Sequence, residues 1–354
     1  MLLGYHTGYW SAGPPPRALE AVLEAERLGF DSVWTAEAYG SDAFTPLAWW
    51  GAQTRSIRLG TAIAQLAART PTATAMAALT LDHLSGGRFT LGLGASGPQV
   101  VEGWYGQPYP RPLARTREYV AIVQDVLARE APVAFDGEFY SLPAKVGTGL
   151  GKALRSTVHP LRADLPIHLA AEGPKNIALA AEIADGWLPL FYSPRMDATY
   201  RELLADGFAR RSPGPGRRAP RPVADFEVSA TVPVVVHDDV ERAADAVRPF
   251  IALYAGGMGA KGANFHRDVL VRLGYEQACD EIQAHYLAGR RAEAAAAVPL
   301  ELVEEIALVG PAAKIETELA TWRRTAITTL VIQGDRRSLA VVAGATARDA
   351  TAVD

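Results

Sequence analysis

The feature that most constrains the fold is a sustained alternation of short apolar runs with segments of helical spacing. The apolar runs are rich in β-branched and aromatic residues, and each but the last is plainly followed by a helix-like segment. We predict strands at Leu2–Thr7, Phe30–Thr35, Ile57–Ile63, Arg88–Leu93, Ile167–Ala170, Gly186–Leu190, Phe226–Val236 and Thr328–Gln333. Eight such units in a chain of 354 residues predict an α/β fold, a (β/α)8 TIM barrel forming a single domain over residues 1–354.

The alternation is interrupted twice. Near residues 135–165, a small hairpin around Asp136–Gly137 leads into Lys145–Leu165, a loop that contains glycine, proline and basic residues. The second interruption, Gly256–Pro299, has no strand-like run, so we predict an inserted helical segment there. We therefore expect a barrel with inserted segments. These segments and the loop after Gly97 would contact the substrate.

The composition argues against several classes of partner. The formal net charge is −4, with acids and bases interspersed, so neither nucleic acid nor an anionic membrane surface is expected to bind. No stretch approaches the ~20 apolar residues of a membrane helix, and the N-terminus lacks a signal-peptide pattern, which predicts a cytoplasmic protein. The single cysteine, Cys279, is predicted to be a buried helix residue. No His, Asp and Glu cluster has metal-ligand spacing, so we expect no bound metal.

A glycine motif invites comparison with nucleotide-binding proteins. The run Gly92–Gly97 fits GxGxxG, which in a dinucleotide-binding domain opens a helix after the first strand and is followed by an acid ~20 residues on. Here the motif follows the fourth strand, Gly103 and Gly106 interrupt what comes next, and Glu118 lies inside a predicted helix. The context disfavours a nicotinamide site. In a barrel, the same small residues would let a ring or phosphate approach the backbone.

The active site of a TIM barrel lies at the C-terminal ends of its strands, which form one rim. We therefore expect the functional residues in the segments that follow the predicted strands. These rim segments are His6–Thr7, Ala36–Glu37, Ala62–Gln65, Ala95–Gly97, Ala171–Gly173, Leu190–Tyr192 and Gln333–Asp335.

Two rim side chains could handle protons. Glu37 follows the second strand, and a carboxyl group in partly apolar surroundings can act as a general acid near neutral pH. His6 ends the first strand and could serve as a proton donor. Alternatives are open for both residues. Glu37 could anchor a cofactor or pair with an arginine such as Arg69, and His6 could be a hydrogen-bonded core histidine.

Four longer runs are similar to those of a known family. They are GFDSVWTAEAYGSD, IRLGTAI, TLDHLSGGRFTLGLGASG and LPIHLAAEGPKNIALAAEIADGW. They resemble the luciferase-like monooxygenase superfamily, and most of all its oxidoreductases that use the deazaflavin coenzyme F420, such as methylenetetrahydromethanopterin reductase-like proteins. The resemblance covers nearly all of the chain. It implies a modified TIM barrel with insertions, often a homodimer, that binds F420 and a small-molecule substrate.

The resemblance also assigns residues to a cofactor site. It implies a non-prolyl cis peptide at Ala62–Ile63, behind the re face of the deazaflavin, with Gly94–Gly97 as the neighbouring wall. The expected cofactor contacts are Thr7, Ala62, Ile63, Gln65, Ala95, Ser96, Gly97, Ala171, Glu172, Gly173, Pro174 and Arg195.

The run Ala171–Pro174 resembles the family's phosphate-binding turn. Pro174 suits the first position of a helix, where backbone N–H groups can point at an anion. The carboxylate of Glu172 is awkward there, because it would repel a phosphate unless it faced away. A simple strand-to-helix turn is the alternative. Arg195, just past the sixth strand, is the candidate side chain for neutralising a phosphate.

One departure from the family pattern bears on the reaction. Members that dehydrogenate sugar phosphates or alcohols carry an Asp–His pair after the second strand, where this chain has Glu37–Ala38. The missing histidine disfavours alcohol dehydrogenation, which needs a base for the hydroxyl proton. We predict hydride transfer in the reductive direction, to a C=C or C=N bond. An FMN-dependent monooxygenase is the alternative, and a non-catalytic cofactor-binding barrel is a third possibility.

Overall fold

The computed structural model describes residues 1–212, 221–259 and 264–352, with side chains up to residue 348. The strands are β1 (Leu2–His6), β2 (Ser32–Thr35), β3 (Arg58–Thr61), β4 (Ala64–Gln65), β5 (Phe89–Gly94), β6 (Phe135–Asp136), β7 (Ser141–Leu142), β8 (Ile167–Ala170), β9 (Gly186–Leu188), β10 (Glu227–Val236), β11 (Leu308–Gly310) and β12 (Thr329–Gln333). The helices are α1 (Ala18–Arg27), α2 (Phe44–Gly51), α3 (Pro71–Ser85), α4 (Pro98–Gly103), α5 (Pro112–Ala128), α6 (Pro174–Ile183), α7 (Asp197–Phe208), α8 (Val240–Ala252), α9 (Phe265–Arg272), α10 (Glu276–Leu287), α11 (Arg291–Ala296), α12 (Leu300–Ile306), α13 (Ala312–Trp322) and α14 (Arg336–Ala352).

Eight parallel strands close into a barrel. Their order is β1, β2, β3, β5, β8, β9, β10 and β12, and β12 pairs again with β1. Each of these strands lies within one of the eight predicted ranges or overlaps it almost completely. The predicted (β/α)8 barrel is confirmed. Its strands are buried on both faces, as their continuous apolar character indicated.

Local signals explain how the helices hold the strand ends in place. Helix α3 begins at Pro71, which needs no N–H partner, and the Thr70 side chain accepts a hydrogen bond from the Ala73 N–H. It ends at Ser85 because Gly86 turns into the left-handed region with φ 65°. Helix α8 begins where the Asp239 side chain accepts hydrogen bonds from two backbone N–H groups of the first turn. These caps fix where α3 and α8 begin.

The segments outside the βα alternation form additional structure. Strands β6 and β7 pair as the predicted hairpin. Between 256 and 299 the described residues contain α9, α10 and α11, and residues 260–263 lie outside the described part. These helices share a second hydrophobic cluster with α8 and α12, centred on Ile251, Leu270, Ile282 and Leu302. Cys279 is buried in this cluster, where burial raises the pKa of its thiol to about 11.

Several short elements were not predicted, among them β11 and α4. Strand β11 extends the sheet beside β10, with Val234 opposite Leu308. Helix α4 follows the glycine motif directly. Both are too short for hydrophobic periodicity to reveal them. None of the helices described over 1–212, 221–259 and 264–352 is long and apolar enough to cross a membrane.

Candidate active site

A cavity of about 960 Å³ opens at the C-terminal ends of the barrel strands. Its position is where TIM barrels carry their active sites, and its size is typical of a ligand pocket. Twelve of the fourteen predicted site residues line it. They are His6, Glu37, Ala62, Ile63, Gln65, Ala95, Ser96, Gly97, Ala171, Glu172, Gly173 and Pro174.

The end of β3 forms one wall of the cavity. The peptide between Ala62 and Ile63 is cis, as the resemblance implied. The Ala62 N–H donates to the Thr35 carbonyl oxygen at 2.6 Å, and the Ile63 carbonyl oxygen accepts from the Glu37 N–H at 3.1 Å. Both residues therefore belong to a backbone network that joins the ends of β2 and β3. The wall presents a small side chain and a β-branched one.

The glycines Gly92 and Gly94 of β5 leave room for the end of β3, which forms this wall. A Cβ atom at Gly92 would lie far inside van der Waals contact with the Thr61 carbonyl oxygen, and one at Gly94 would lie 2.8 Å from Cγ1 of Ile63. The motif therefore lets β5 pack directly against the end of β3. The close approach predicted at these glycines exists, but the approaching groups at Gly92 and Gly94 are parts of the protein.

The loop after β5 has a constrained shape. Ser96 has φ 58°, a left-handed conformation that costs a non-glycine residue roughly 1 kcal/mol or more. The Tyr109 hydroxyl donates to the Ser96 carbonyl oxygen at 2.7 Å and so supports that conformation. Both residues line the cavity. The loop is held to one geometry next to the Ala62–Ile63 wall.

Glu37 forms an ion pair with Arg69. The guanidinium donates one hydrogen bond to each carboxylate oxygen, at 2.9 and 2.8 Å, and the Glu37 side chain is 4% exposed. The Gln65 N–H donates to the same carboxylate at 2.9 Å. The structure thus contains the Arg69 pairing that the sequence left open. Because both oxygens act as acceptors, the arrangement favours an anchoring role for Glu37 over proton donation.

Gln65 presents an unpaired acceptor. Its amide nitrogen donates to the carbonyl oxygens of Glu37 and Ala38, at 3.0 and 2.9 Å, which fixes which end of the amide carries the oxygen. The oxygen, Oε1, is buried and has no hydrogen-bond partner. Leaving a buried acceptor unpaired costs about 1–3 kcal/mol. Gln65 also lines the cavity, so a ligand whose N–H group reached this oxygen would remove that cost, and a deazaflavin or flavin ring has such a group.

His6 is buried at the end of β1, and burial lowers the pKa of its imidazole to about 4. The ring is therefore neutral at neutral pH. Its Nδ1 accepts the Gly8 N–H at 3.0 Å, which assigns the ring proton to Nε2, 3.4 Å from the Ala62 carbonyl oxygen. A neutral imidazole in this tautomer can donate a hydrogen bond beside the wall. It does not carry the extra proton of an imidazolium.

Glu172 lies in the turn before α6. Its carboxyl accepts the Leu190 N–H at 3.2 Å, while Arg272 donates to the Glu172 carbonyl oxygen instead of to the carboxylate. Burial raises the pKa of Glu172 to about 8, which favours the protonated carboxyl at neutral pH. The expected repulsion between Glu172 and a phosphate depends on a carboxylate. A protonated carboxyl removes that conflict.

Two predicted contacts do not reach the cavity. Arg195 donates to the carboxylate of Glu305 at 2.9 Å and to the Leu273 carbonyl oxygen at 2.6 Å, and it is absent from the cavity lining. The geometry gives no support to a phosphate-neutralising role for Arg195. Thr7 is buried behind the lining, where its hydroxyl donates to the Trp34 carbonyl oxygen at 3.2 Å.

The sequence reasoning missed Lys175, which lines the cavity in the first turn of α6. The signal was present in the run EGPK, since the residue after a helix-opening proline lies beside the turn. Among the lining residues that the structure describes, Lys175 is the one with a cationic side chain at neutral pH. In the same described ranges, no group of His, Cys, Asp and Glu side chains could hold a metal ion.

A family model described as luciferase-like monooxygenase matches residues 2–329. The chain belongs to the luciferase-like monooxygenase family. The resemblance drawn from the four sequence runs is therefore confirmed. In this barrel, the cis peptide and the C-terminal end of the glycine-containing strand β5 lie at the rim.

Proteins similar to this chain include several whose names mention F420. A Mycobacterium tuberculosis protein with the provisional name coenzyme F420-dependent oxidoreductase is 58% identical over 334 residues, which is 94% of each chain. The 5,10-methylenetetrahydromethanopterin reductase of Archaeoglobus fulgidus is 32% identical over 67% of this chain and 65% of its own. The structure of the coenzyme F420-dependent tetrahydromethanopterin reductase from Methanopyrus kandleri superposes with a TM-score of 0.78 at 20% identity, covering 97% of both chains.

Proposed function

We propose that the chain is a coenzyme F420-dependent oxidoreductase that transfers a hydride between the deazaflavin and a small organic substrate. We propose the reductive direction, towards a C=C or C=N bond, because Ala38 stands where the dehydrogenases of the family have a histidine. The observation that carries the proposal is the cavity itself. It combines the Ala62–Ile63 wall with the unpaired Gln65 oxygen at the C-terminal rim of the barrel. The mycobacterial relative, at 58% identity, supports the choice of F420.

The chain's own residues would hold the cofactor at both ends. The flat ring would lie against Ala62–Ile63, and Gln65 Oε1 would accept a hydrogen bond from a ring N–H. The turn at Ala171–Pro174 would face the phosphate, where the start of a helix favours an anion. Lys175 would supply the counter-charge that the sequence assigned to Arg195. When bound, the deazaflavin supplies or accepts the hydride.

Glu37 then acts through Gln65. Its carboxylate accepts the Gln65 backbone N–H and holds Arg69, so it orients the residue that contacts the ring. His6 remains a proposed catalytic residue, as a neutral imidazole whose Nε2–H lies 3.4 Å from the Ala62 carbonyl oxygen. The walls around the ring exclude water, which protects a bound hydride donor from side reactions.

Spectroscopic titration with F420 and with FMN, side by side, tests the proposal. We expect F420 to bind with micromolar or better affinity and FMN to bind far more weakly. Replacing Lys175 with methionine should weaken F420 binding by roughly 3- to 10-fold, and by less at high salt, because the contact is an exposed charge pair. Arg195→Met is the matched control, and its F420 affinity should stay at the wild-type value.

FMN binding without F420 binding would contradict the proposal. Oxygen consumption with reduced FMN would then support the alternative, an FMN-dependent monooxygenase, which the same wall and Gln65 oxygen could also serve. F420 binding without turnover of any substrate would favour a non-catalytic cofactor-binding barrel.

The raised pKa of Glu172 predicts that the stability of the folded protein depends on pH. Its folded-state pKa of about 8 lies above the ordinary 4.5, so the folded protein keeps a proton that the unfolded chain releases between those values. The stability that this proton contributes is present below about pH 4.5 and is lost as the pH rises through about 8. As the pH rises from about 6 to about 8.5, the free energy of unfolding should fall by less in Glu172→Gln than in the wild type. Urea denaturation at each pH measures this difference.

The same ionisation should act on ligand binding. The affinity of the wild type for F420 should fall above about pH 8, as a carboxylate forms beside the phosphate, and the fall should be absent in Glu172→Gln. Glu20→Gln, a change on the exposed face of α1, is the control for stability and should follow the wild-type profile. A wild-type binding profile that is flat between about pH 6 and pH 9 would contradict the assignment.

We also propose that the protein is a homodimer, as the family resemblance implies, and that each chain is a single domain in the cytoplasm, as the sequence pattern indicates. Trp49 on α2 and Met76 on α3 are large apolar side chains left mostly exposed, and a partner would cover them. Light scattering after size exclusion measures the assembly, and a monomer at micromolar concentration would contradict the proposal.

A further inference from the structure

The part of the cavity beyond the proposed cofactor contacts is lined mainly by aromatic and apolar side chains. They come from separated elements: Tyr9 follows β1, Trp104 follows α4, Phe250 lies on α8, Met258 follows the π-helical turn Leu253–Gly257, and Phe265 begins α9. Trp104 is 64% exposed although it lines the cavity. An exposed aromatic ring at a pocket mouth is a surface that an apolar ligand would cover.

Charge is scarce in this cavity at neutral pH. Glu37 is neutralised by Arg69, and the raised pKa of Glu172 favours its neutral carboxyl. Burial lowers the pKa of His6 to about 4 and that of His266 to about 3, so both imidazoles are neutral. Lys175 is the cation described in the lining, and it lies at the turn proposed for the phosphate. Within the described part of the lining, a negatively charged substrate would therefore find no second cation to bind it.

One polar feature stands among the aromatic residues. The hydroxyl groups of Tyr254 and Tyr9 are hydrogen-bonded at 3.0 Å, and both side chains line the cavity. Tyr254 is buried and serves as donor to Tyr9, which leaves the Tyr9 hydroxyl proton available for an acceptor in the cavity. Burial raises the pKa of both phenols, so both remain protonated hydrogen-bonding groups at neutral pH.

These observations together specify a class of substrate. Placing a charged group in an apolar cavity without a partner is costly, whereas a neutral ring or chain gains from covering the aromatic residues. We propose that the substrate is an uncharged, largely apolar compound whose reducible C=C bond is conjugated to a carbonyl, with Tyr9 donating a hydrogen bond to the carbonyl oxygen. The inference rests on the proposed F420-dependent reduction.

The reaction balances with one hydride and one proton. The carbon remote from the carbonyl would gain the hydride, the carbon next to the carbonyl would gain a proton from solvent, and the C=C bond would become a single bond. Reduced F420, when bound, would supply the hydride and release one proton to solvent, which closes the balance. The hydrogen bond from Tyr9 would stabilise the charge that builds on the carbonyl oxygen during hydride addition.

The test compares matched probes on the F420-loaded protein. The neutral probe is 3-methylcyclohex-2-enone with an alkyl chain, the charged probe is the same enone with a carboxylate at the end of that chain, and glucose 6-phosphate is the third. Oxidation of reduced F420 is followed by absorbance. Binding of each probe is followed separately by quenching of tryptophan fluorescence. We expect the neutral enone to have at least a tenfold lower KM and Kd than the charged one, and glucose 6-phosphate not to react.

Two variants sharpen the test. Tyr9→Phe should lower kcat/KM for the neutral enone by about 3- to 10-fold while leaving F420 affinity unchanged, because it removes one hydrogen bond to the carbonyl. Trp104→Arg places a cation at the exposed mouth and should shift the preference towards the charged enone. Thermal melting checks that both variants fold.

Equal or tighter binding of the charged enone, or turnover of glucose 6-phosphate, would overturn the inference. No change in kcat/KM for Tyr9→Phe would remove Tyr9 from its assigned role. F420 titration without any substrate separates this failure from failure of the proposed function, since it reports cofactor binding alone.

Discussion

Replacing Gly92 with alanine is expected to destabilise the protein by about 3 kcal/mol, near the upper end of the cost of overpacking a core. The new Cβ atom would overlap the Thr61 carbonyl oxygen, which is backbone, and would lie 2.8 Å from Cδ1 of Leu188. The two strands cannot easily move apart to relieve this overlap. The Thr61 hydroxyl donates to the Gly92 carbonyl oxygen at 2.7 Å and accepts the Gly92 N–H at 2.9 Å, so the strands are hydrogen-bonded to each other at that position.

Urea denaturation measures the effect, and Gly13→Ala provides the control. A Cβ atom at Gly13 would meet nothing within 4 Å, so that variant should stay within about 0.5 kcal/mol of wild type. If the two variants unfold at the same urea concentration, the close packing of β5 against β3 does not constrain the barrel. A soluble Gly92→Ala protein should also bind F420 more weakly, because Thr61 immediately precedes the Ala62–Ile63 wall.

Replacing Arg69 with methionine should cost about 3 kcal/mol of unfolding free energy, because it leaves the Glu37 carboxylate buried without its partner. The Arg69 side chain is 23% exposed, which allows some water to reach the pair and places the expected cost at the lower end of the range for broken buried pairs. The variant should also lose F420 affinity. The Glu37 carboxylate orients Gln65 through the Gln65 N–H, and Gln65 Oε1 is the proposed contact with the ring.

Two comparisons make this result interpretable. The double variant Glu37→Gln with Arg69→Met removes the uncompensated charge, so it should recover much of the lost stability but not the F420 affinity. Arg27→Met breaks a pair with Glu24 of similar geometry in which the arginine side chain is 68% exposed, and it should change the urea midpoint little. Equal effects of Arg69→Met and Arg27→Met would argue that the Glu37 pair has no special role.

The barrel could be predicted from the sequence because alternation with two different periods repeats eight times, and each repetition supports the others. Strand β11 escaped because three residues cannot display a period. The rim could also be predicted, since parallel strands of a barrel end on one side. The sequence does not show which rim side chains face the cavity. Arg195 comes just after a rim segment, but its long side chain bonds Glu305, which lies 110 residues away in the sequence.

Protonation states were the other part that sequence could not supply. Glu172 looked awkward beside a phosphate because a carboxylate was assumed. Its pKa is raised by burial, which depends on how the turn packs against the segment around Leu190 and is invisible in the run AAEGPK. The pairing of Glu37 with Arg69 also could not be predicted from the sequence. The sequence contained both partners, 32 residues apart, but nothing in it ranked that pairing above anchoring or proton donation.

Three hydrogen bonds hold Gln65 in place. Its backbone N–H donates to the Glu37 carboxylate, and its side-chain nitrogen donates to two backbone carbonyl oxygens. A long side chain that is already ordered has little rotamer freedom left to lose when a ligand arrives. The pocket is preorganised at this position. Its selectivity would therefore follow from a rigid acceptor that matches a ring N–H. A ring with an acceptor at that place would face the lone pairs of Oε1, and turning the amide around would break the two hydrogen bonds that its nitrogen donates.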